Sequence, residues 1–227
     1  MKMISQRLAR VASFVPQGAR LLDVGSDHAY LPIYLVGQGK IQFAVAGEVV
    51  AGPFESAQKN VQEEGLTQQI EVRLANGLAA LEEEDQLDTL VIAGMGGRLI
   101  SDILRQGRDR LSGLNRLILQ PNNGQDELRS CLEALGFEIV AEDILEEAGK
   151  FYEIIVAEPG QTRLNQKQVR FGPCLLLEKS PVFQKRWTLE LTKLKGALAK
   201  IPSQHQSERS ALSQKIGEIE EVLHVSK

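Results

Sequence analysis

Between Arg20 and Glu158 short apolar runs alternate with stretches whose apolar residues recur at helical spacing, and beyond Glu158 that alternation stops. The runs Leu21–Val24, Phe43–Gly47, Ile70–Leu74, Thr89–Ala93, Arg116–Gln120, Glu138–Leu145 and Tyr152–Ala157 predict seven strands. Helices fit between them at Pro32–Gly37, Gly52–Glu64, Arg98–Gln106 and Gln125–Leu135, with a short turn near Gly77–Leu81. Strands alternating with helices predict a parallel sheet covered by helices. The last two strands follow each other without a helix, which predicts an antiparallel hairpin turning at Ala148-Gly149-Lys150. A first helix over Ser5–Phe14, with Leu8, Val11 and Ala12 on one face, is predicted to pack on the sheet edge or cover a ligand site.

Glu158-Pro159-Gly160 reads as a boundary. After it, Phe183, Trp187, Leu191, Leu194, Leu198 and Ile201 recur at helical spacing, Pro202-Ser203 breaks the run, and Leu212, Ile216, Ile219 and Leu223 resume it. Two helices folded back on each other would bury both stripes. The expectation is therefore an α/β domain over residues 1–160 and a helical hairpin of coiled-coil type over 161–227, joined through a short helix or loop at Asn165–Leu177. Five alternating units closed by a hairpin match the Rossmann-like class I methyltransferase sheet better than a dinucleotide dehydrogenase sheet.

Composition narrows the setting. The 227 residues, 43% hydrophobic, suffice for one well-buried domain and a smaller appendage. No apolar run approaches the roughly 20 residues that span a bilayer, and no signal sequence is evident, so the expected location is the cytoplasm, away from membranes. Cys131 and Cys174 stand far apart without metal-ligand spacing, which predicts reduced thiols and no metal site. Charge is uneven: residues 1–160 hold 14 Lys and Arg against 24 Asp and Glu, whereas 161–227 hold 12 against 6. A basic tail on an acidic domain suits phosphate-backbone contact, although a solvated helical face has the same composition.

Ligands of doubly wound sheets bind beyond the carboxyl ends of the strands, so the loops there carry the candidate chemistry. The first strand ends in Gly25-Ser26-Asp27-His28, where Gly25 permits a tight turn and the next helix offers amides to an anion. Glu48 lies 23 residues beyond Gly25, the distance at which an acidic side chain bonds ribose hydroxyls, with Val49 beside it. Asn76-Gly77 follows the third strand, where an adenine edge would lie, and is also a common turn pair. Ala93-Gly94-Met95-Gly96-Gly97 closes the fourth strand with little bulk, leaving room for a flat ligand. Gln120-Pro121-Asn122-Asn123-Gly124 closes the fifth and places amides at the rim of the same crevice, with Asn123 also able to cap a helix.

Taken together, Leu22–Pro32, Ala46–Glu48, Ala93–Gly97 and Gln120–Gly124 resemble the bacterial tRNA (adenine-22 N1)-methyltransferase family, TrmK, over nearly the whole chain. The resemblance implies S-adenosyl-L-methionine as cofactor and a tRNA adenine as substrate. Asp23, Gly25 and Ser26 would line the methionine part of the cofactor, Glu48 its ribose, Asn76 and Gly77 its adenine, and Ala93, Gly94 and Met95 would lie beneath the donor. Asp27 is the candidate catalytic residue, with helix capping or pairing with the cofactor ammonium as its competing roles. His28, Tyr30, Gly96, Pro121, Asn122 and Asn123 are the candidate substrate contacts, Tyr30 through stacking on an extruded base.

A tRNA needs a broader surface than this pocket. Arg7 and Arg10 on the first helix, Arg98, Arg105 and Arg108 near the fourth loop, and Lys185, Arg186, Lys193, Lys195 and Lys200 on the tail are candidates for it. Two other readings stand beside methyl transfer: a nicotinamide-dependent oxidoreductase, for which GxGxxG is missing, and a non-catalytic S-adenosylmethionine- or RNA-binding module. An exposed stripe on the C-terminal hairpin would also support self-association.

Overall fold

A computed structural model describes residues 4–224. Its seven strands, β1 (Arg20–Val24), β2 (Phe43–Glu48), β3 (Ile70–Leu74), β4 (Thr89–Met95), β5 (Arg116–Pro121), β6 (Phe137–Glu147) and β7 (Lys150–Pro159), form one sheet in the order β3-β2-β1-β4-β5-β7-β6. The first five are parallel and β7 runs antiparallel between β5 and β6. The order reverses between β1 and β4, so the crevice of a doubly wound sheet opens beyond their carboxyl ends. This is the Rossmann-like methyltransferase sheet that the apolar pattern predicts.

Helices α1 (Gln6–Phe14), α2 (Tyr30–Gly37), α3 (Ala51–Glu63), α4 (Gly97–Gln106) and α5 (Gln125–Leu135) cover the two faces. Successive strand residues point to opposite faces, and both faces are covered, which is why the strands read as apolar runs rather than alternations. Leu21 joins a core with Val11, Leu31, Leu35 and Ala57, while Leu22 joins another with Ile100, Leu104, Leu128 and Leu132. Ser5 caps α1, its Oγ accepting from the Leu8 amide at 3.1 Å. The β6–β7 turn needs only Ala148 and Gly149, at φ +50° and +74°, a pair of positive φ values that suits a tight hairpin, and Lys150 opens the next strand instead of sharing the turn.

Past Pro159 come α6 (Gln166–Phe171), α7 (Pro173–Glu178), α8 (Pro181–Lys200) and α9 (Gln206–His224). The single connector expected at Asn165–Leu177 is thus two helices. Gly172 separates them at φ +89°, and Pro173 opens the second at a position where its missing N–H costs nothing. Helices α8 and α9 fold back on each other, and a third core gathers Phe171, Leu175, Phe183, Trp187, Ile219 and Val222 around Ile144 of β6. Both cysteines are free thiols, and burial raises the pKa of each.

A buried ionic node ties this arm to the sheet. Arg129 of α5, wholly buried, donates from Nε to Glu142 Oε1 at 2.7 Å and from Nη2 to Glu153 Oε2 at 2.5 Å. It also reaches the carbonyl of Val169 on α6 at 3.1 Å, while Arg186 of α8 pairs with the other Glu153 oxygen. Glu142 Oε2 in turn accepts the Cys174 amide at 2.9 Å. A Cβ on Gly172 would stand 2.5 Å from Glu142 Oε2, so glycine is needed there for space as well as for φ.

Candidate active site

The turn after β1 is folded against an uncommon backbone. Gly25 sits at φ +67°, and Asp27, His28 and Ala29 follow at +43°, +69° and +59°, three non-glycine residues in succession in the left-handed region. Such conformations cost of order 1–3 kcal/mol each and persist where the surroundings over-determine them. Here the surroundings are β2 and its terminal carboxylate. The Gly25 amide donates to Gly47 O at 2.9 Å, and the Asp27 amide donates to Glu48 Oε1 at 2.5 Å. Asn60 of α3 donates to the His28 carbonyl at 3.0 Å.

Asp23 and Glu48 are both buried at the carboxyl ends of their strands. Burial pushes Asp23 up to about 7 against the help of Ser26, whose Oγ donates to Asp23 Oδ2 at 2.5 Å. Burial likewise raises Glu48, offset in part by the Asp27 amide. Neither carboxylate has a Lys or Arg ion pair among the described residues. Two desolvated carboxyl groups without cations are suited to accept hydrogen bonds from a polar ligand.

The Asp27 side chain behaves differently. It is 83% exposed and lies 3.4 Å from His28 Nε2, above the same turn. It does not cap α2, whose N-cap residue is Ala29 in a left-handed conformation with no side-chain cap bond. The capping role is therefore excluded. The His28 ring in turn lies 5.4 Å from that of Tyr30, so Asp27, His28 and Tyr30 form one continuous surface.

Facing this turn, the loops after β4 and β5 are stitched together. Gly94, at φ +83°, donates from its amide to Gln120 Oε1 at 3.1 Å and accepts from Asn122 Nδ2 at 2.6 Å. The Asn122 amide reaches Met95 O at 2.7 Å, and the Gly97 amide reaches Asn123 O at 2.8 Å. Gly97 has no room for a side chain, since a Cβ would stand 2.2 Å from Gly124 O. Asn123 does not cap α5, where Gly124 is the N-cap residue at φ +64°. Met95 bridges the two halves of the crevice, its Cε 2.2 Å from where a Gly25 Cβ would lie.

The candidate residues fall into distinct places. Asp23, Gly25, Ser26, Asp27, His28, Tyr30 and Glu48 share the first turn, and Ala93, Gly94, Met95, Gly96, Pro121, Asn122 and Asn123 share the second wall. Asn76 and Gly77 join through their neighbour, the Ala75 amide donating to Glu48 O at 2.8 Å. Val49 follows Glu48 and is 58% exposed.

One residue receives no site role from sequence alone, and a second takes a different one from that expected. Gln120 is fully buried and gives both faces of its amide to the loops: Oε1 to Gly94 and Arg7, Nε2 to Pro121 O at 3.0 Å and Asn122 Oδ1 at 3.3 Å. Arg7 is expected on an RNA-facing surface, yet its Nη1 turns inward to Gln120 Oε1 at 2.5 Å. The only available signal for Gln120 is a polar residue at the end of an apolar strand. Other candidate cations also have internal partners: Arg10 with Asp143, Lys185 with Glu146 at 2.5 Å, and Lys195 with Glu220 at 2.6 Å.

From Asn122 and Asn123 a groove of about 1400 Å³ runs between the β6–β7 hairpin and the helical arm. Lys150, Arg170, Arg186, Lys193 and Lys215 line it together with Phe151, Tyr152 and Trp187. Among the described residues, no three His, Cys, Asp or Glu side chains are grouped to hold a metal ion, and no helix is long and apolar enough to cross a membrane.

Comparison with known proteins is consistent along the chain. The Bacillus subtilis tRNA (adenine(22)-N(1))-methyltransferase is 40% identical over 230 residues, covering 99% of this chain and 95% of that protein. The Streptococcus pneumoniae protein Sp1610, solved in complex with S-adenosyl-L-methionine, superposes with a TM-score of 0.92 at 60% identity over 98% of this chain and 100% of its own. Mycoplasma capricolum TrmK, solved with S-adenosyl-homocysteine, gives 0.89 at 27% identity over 100% of both chains. The family described as tRNA (adenine(22)-N(1))-methyltransferase, TrmK, matches residues 21–221, and the chain belongs to that family.

Proposed function

We propose that the protein transfers a methyl group from S-adenosyl-L-methionine to N1 of adenine 22 in tRNA. The observation that carries this reading is the pair of cation-free buried carboxyl groups, Asp23 and Glu48, holding a strained turn whose exposed end is Asp27. The cofactor fits that cradle. Glu48 keeps Oε2 for ribose hydroxyls while Oε1 holds the Asp27 amide, Asp23 with Ser26 faces the methionine part, and the loop at Ala93–Met95 leaves a lining without bulk. Asn76 and Gly77 flank the adenine of the cofactor. When bound, S-adenosylmethionine supplies a methyl group made electrophilic by a positive sulfur.

Neutral adenine already carries a lone pair at N1, so no base is required before attack. The protein's work is alignment and stabilisation of the positive charge that the ring acquires. Asp27 accepts a hydrogen bond from the N6 amino group, turns N1 toward the methyl and favours the cationic product. Tyr30 and His28 supply a ring surface for the extruded base. Gly96, Pro121, Asn122 and Asn123 border it from the other wall.

The tRNA body is read as lying in the groove beside Asn122, where Lys150, Lys193 and Lys215 neutralise phosphates and Tyr152 offers a stacking face. The two-domain division at residue 160 is supported by the core that the arm's own helices gather, although that core closes on Ile144 of β6. The substrate implies a cytoplasmic setting. Self-association of the arm would fall to Leu177 and Leu189, the large apolar side chains it exposes, and sedimentation measures it.

The test is incubation with labelled S-adenosylmethionine and unmodified tRNA, followed by nucleoside analysis. N1-methyladenosine, lost when adenine 22 is replaced by guanine, is expected; no product with any tRNA overturns the reading. Asp27→Ala should bind cofactor and lose turnover, whereas full turnover would remove Asp27 from catalysis.

A further inference from the structure

We infer that Arg7 and Gln120 are positioning residues that set the loop Gly94–Gly96, so that the first helix of the chain forms part of the methyl-transfer apparatus. Gln120 is fully buried, and its amide is saturated: two acceptor positions are filled by the Gly94 amide at 3.1 Å and Arg7 Nη1 at 2.5 Å, two donors by Pro121 O at 3.0 Å and Asn122 Oδ1 at 3.3 Å. Such an amide has nothing left for a ligand. What it does is fix the two walls relative to each other, because Asn122, oriented by Gln120, donates onward to Gly94 O at 2.6 Å. Gly94 is thereby held through both its N–H and its C=O at φ +83°.

Arg7 completes this arrangement from outside the sheet. Its guanidinium reaches Gln120 from α1 and lies beside Gly94, with Nη1 3.5 Å from where a Cβ at that position would stand. The Tyr152 ring lies 5.6 Å beneath its Cζ, which restricts the side chain further. Helix α1 itself is anchored elsewhere, by Lys40 Nζ donating to Ala12 O at 2.7 Å and Ser13 O at 3.0 Å near its carboxyl end. Docking of the helix and contact with Gln120 are therefore separable by mutation.

This inference rests on the methyl-transfer reading, since it assigns the loop that faces the donor. Arg7→Ala should lower kcat by roughly 10- to 100-fold, the scale of a misplacement of about 1 Å. S-adenosylhomocysteine affinity, read by calorimetry, should stay within about three-fold. Hydrogen exchange of residues 93–97, measured without cofactor, should accelerate. Arg7→Lys keeps one donor and should recover part of both readouts. Lys40→Ala, which loosens α1 at its other anchor, should leave kcat and that exchange as in the wild type. Should Arg7→Ala fail to fold, Gln120→Glu serves instead: it keeps Arg7 and loses the two donors, and should show the same fall in kcat. Unchanged kcat and exchange in Arg7→Ala, or equal losses in Lys40→Ala, overturn the inference. An inactive wild type would instead overturn the methyl-transfer reading and leave the exchange result standing.

Discussion

In two of the places where it buries carboxyl groups, the molecule treats them in opposite ways. At the sheet switch point Asp23 and Glu48 are desolvated without a basic partner, and the pKa of each rises. At the joint with the arm, Glu142 and Glu153 are as deeply buried, but Arg129 bridges them and Arg186 adds a second cation. Burial pushes Arg186 down to about 10, so that cation also bears a desolvation cost. Charge that is matched within the chain holds parts together, whereas charge left unmatched is available to something that arrives later.

The largest expected effect breaks the matched set. Arg129→Met removes the bridge, leaving buried Glu142 without a cation and Glu153 with Arg186 alone, which should lower the unfolding free energy by about 3–5 kcal/mol. Chemical denaturation measures it. A loss near that of an ordinary surface substitution would mean that the node is no joint, and that the two assemblies differ less than their geometry suggests.

Next comes the unmatched set. Glu48→Gln keeps an acceptor for the Asp27 amide but removes the charge that ribose hydroxyls would meet. Hydrogen bonds to charged groups contribute about 1.5–3 kcal/mol, so cofactor affinity should fall roughly 10- to 150-fold. Folding stability should hold or rise, since a desolvated carboxyl group disappears. If Glu48→Gln proves as destabilising as Arg129→Met, Glu48 belongs with the structural carboxylates and the contrast fails.

These two assemblies were not equally legible in the sequence. Glu48 is, because its distance from Gly25 carries a known geometric meaning, and so is the strand order, because apolar runs of strand length alternate with helical periods. The ionic node is not: Glu142 and Glu153 sit in strands predicted as ordinary, and nothing local to Arg129 in a helical stretch marks it as buried. Arg7 is illegible for the same reason. Periodicity identifies the apolar face of α1, but not what its polar face meets 113 residues later. Helix capping by Asp27 and Asn123, which sequence alone leaves open, is settled by backbone: left-handed Ala29 and Gly124 occupy the cap positions instead.

A smaller effect follows from Asp23 alone. Its folded pKa of about 7 stands above the ordinary value of 3.8, so the native state holds a proton that the unfolded chain releases. Stability from this group is complete below pH 4 and declines as pH rises through 7, the opposite of a salt-bridged carboxylate. Asp23→Asn should flatten the pH dependence of unfolding between those limits. An unchanged slope would place the titration elsewhere.

The smallest effect separates matched charge on the surface from matched charge inside. Lys193 and Glu190 lie 3.6 Å apart on α8 with side chains 77% and 37% exposed, so water and salt screen them. Lys193→Ala should change unfolding free energy by less than about 0.5 kcal/mol, within the range of exposed pairs. Its value to the protein must then lie outside the fold. Lys193 lines the groove beside the arm, and if it neutralises one tRNA phosphate, the variant should lose roughly one counterion from the salt dependence of tRNA binding. Titrations at several salt concentrations give that slope. An unchanged slope removes Lys193 from the tRNA surface, and a stability loss near that of Arg129→Met would mean that exposure does not divide the two kinds of ion pair in this chain.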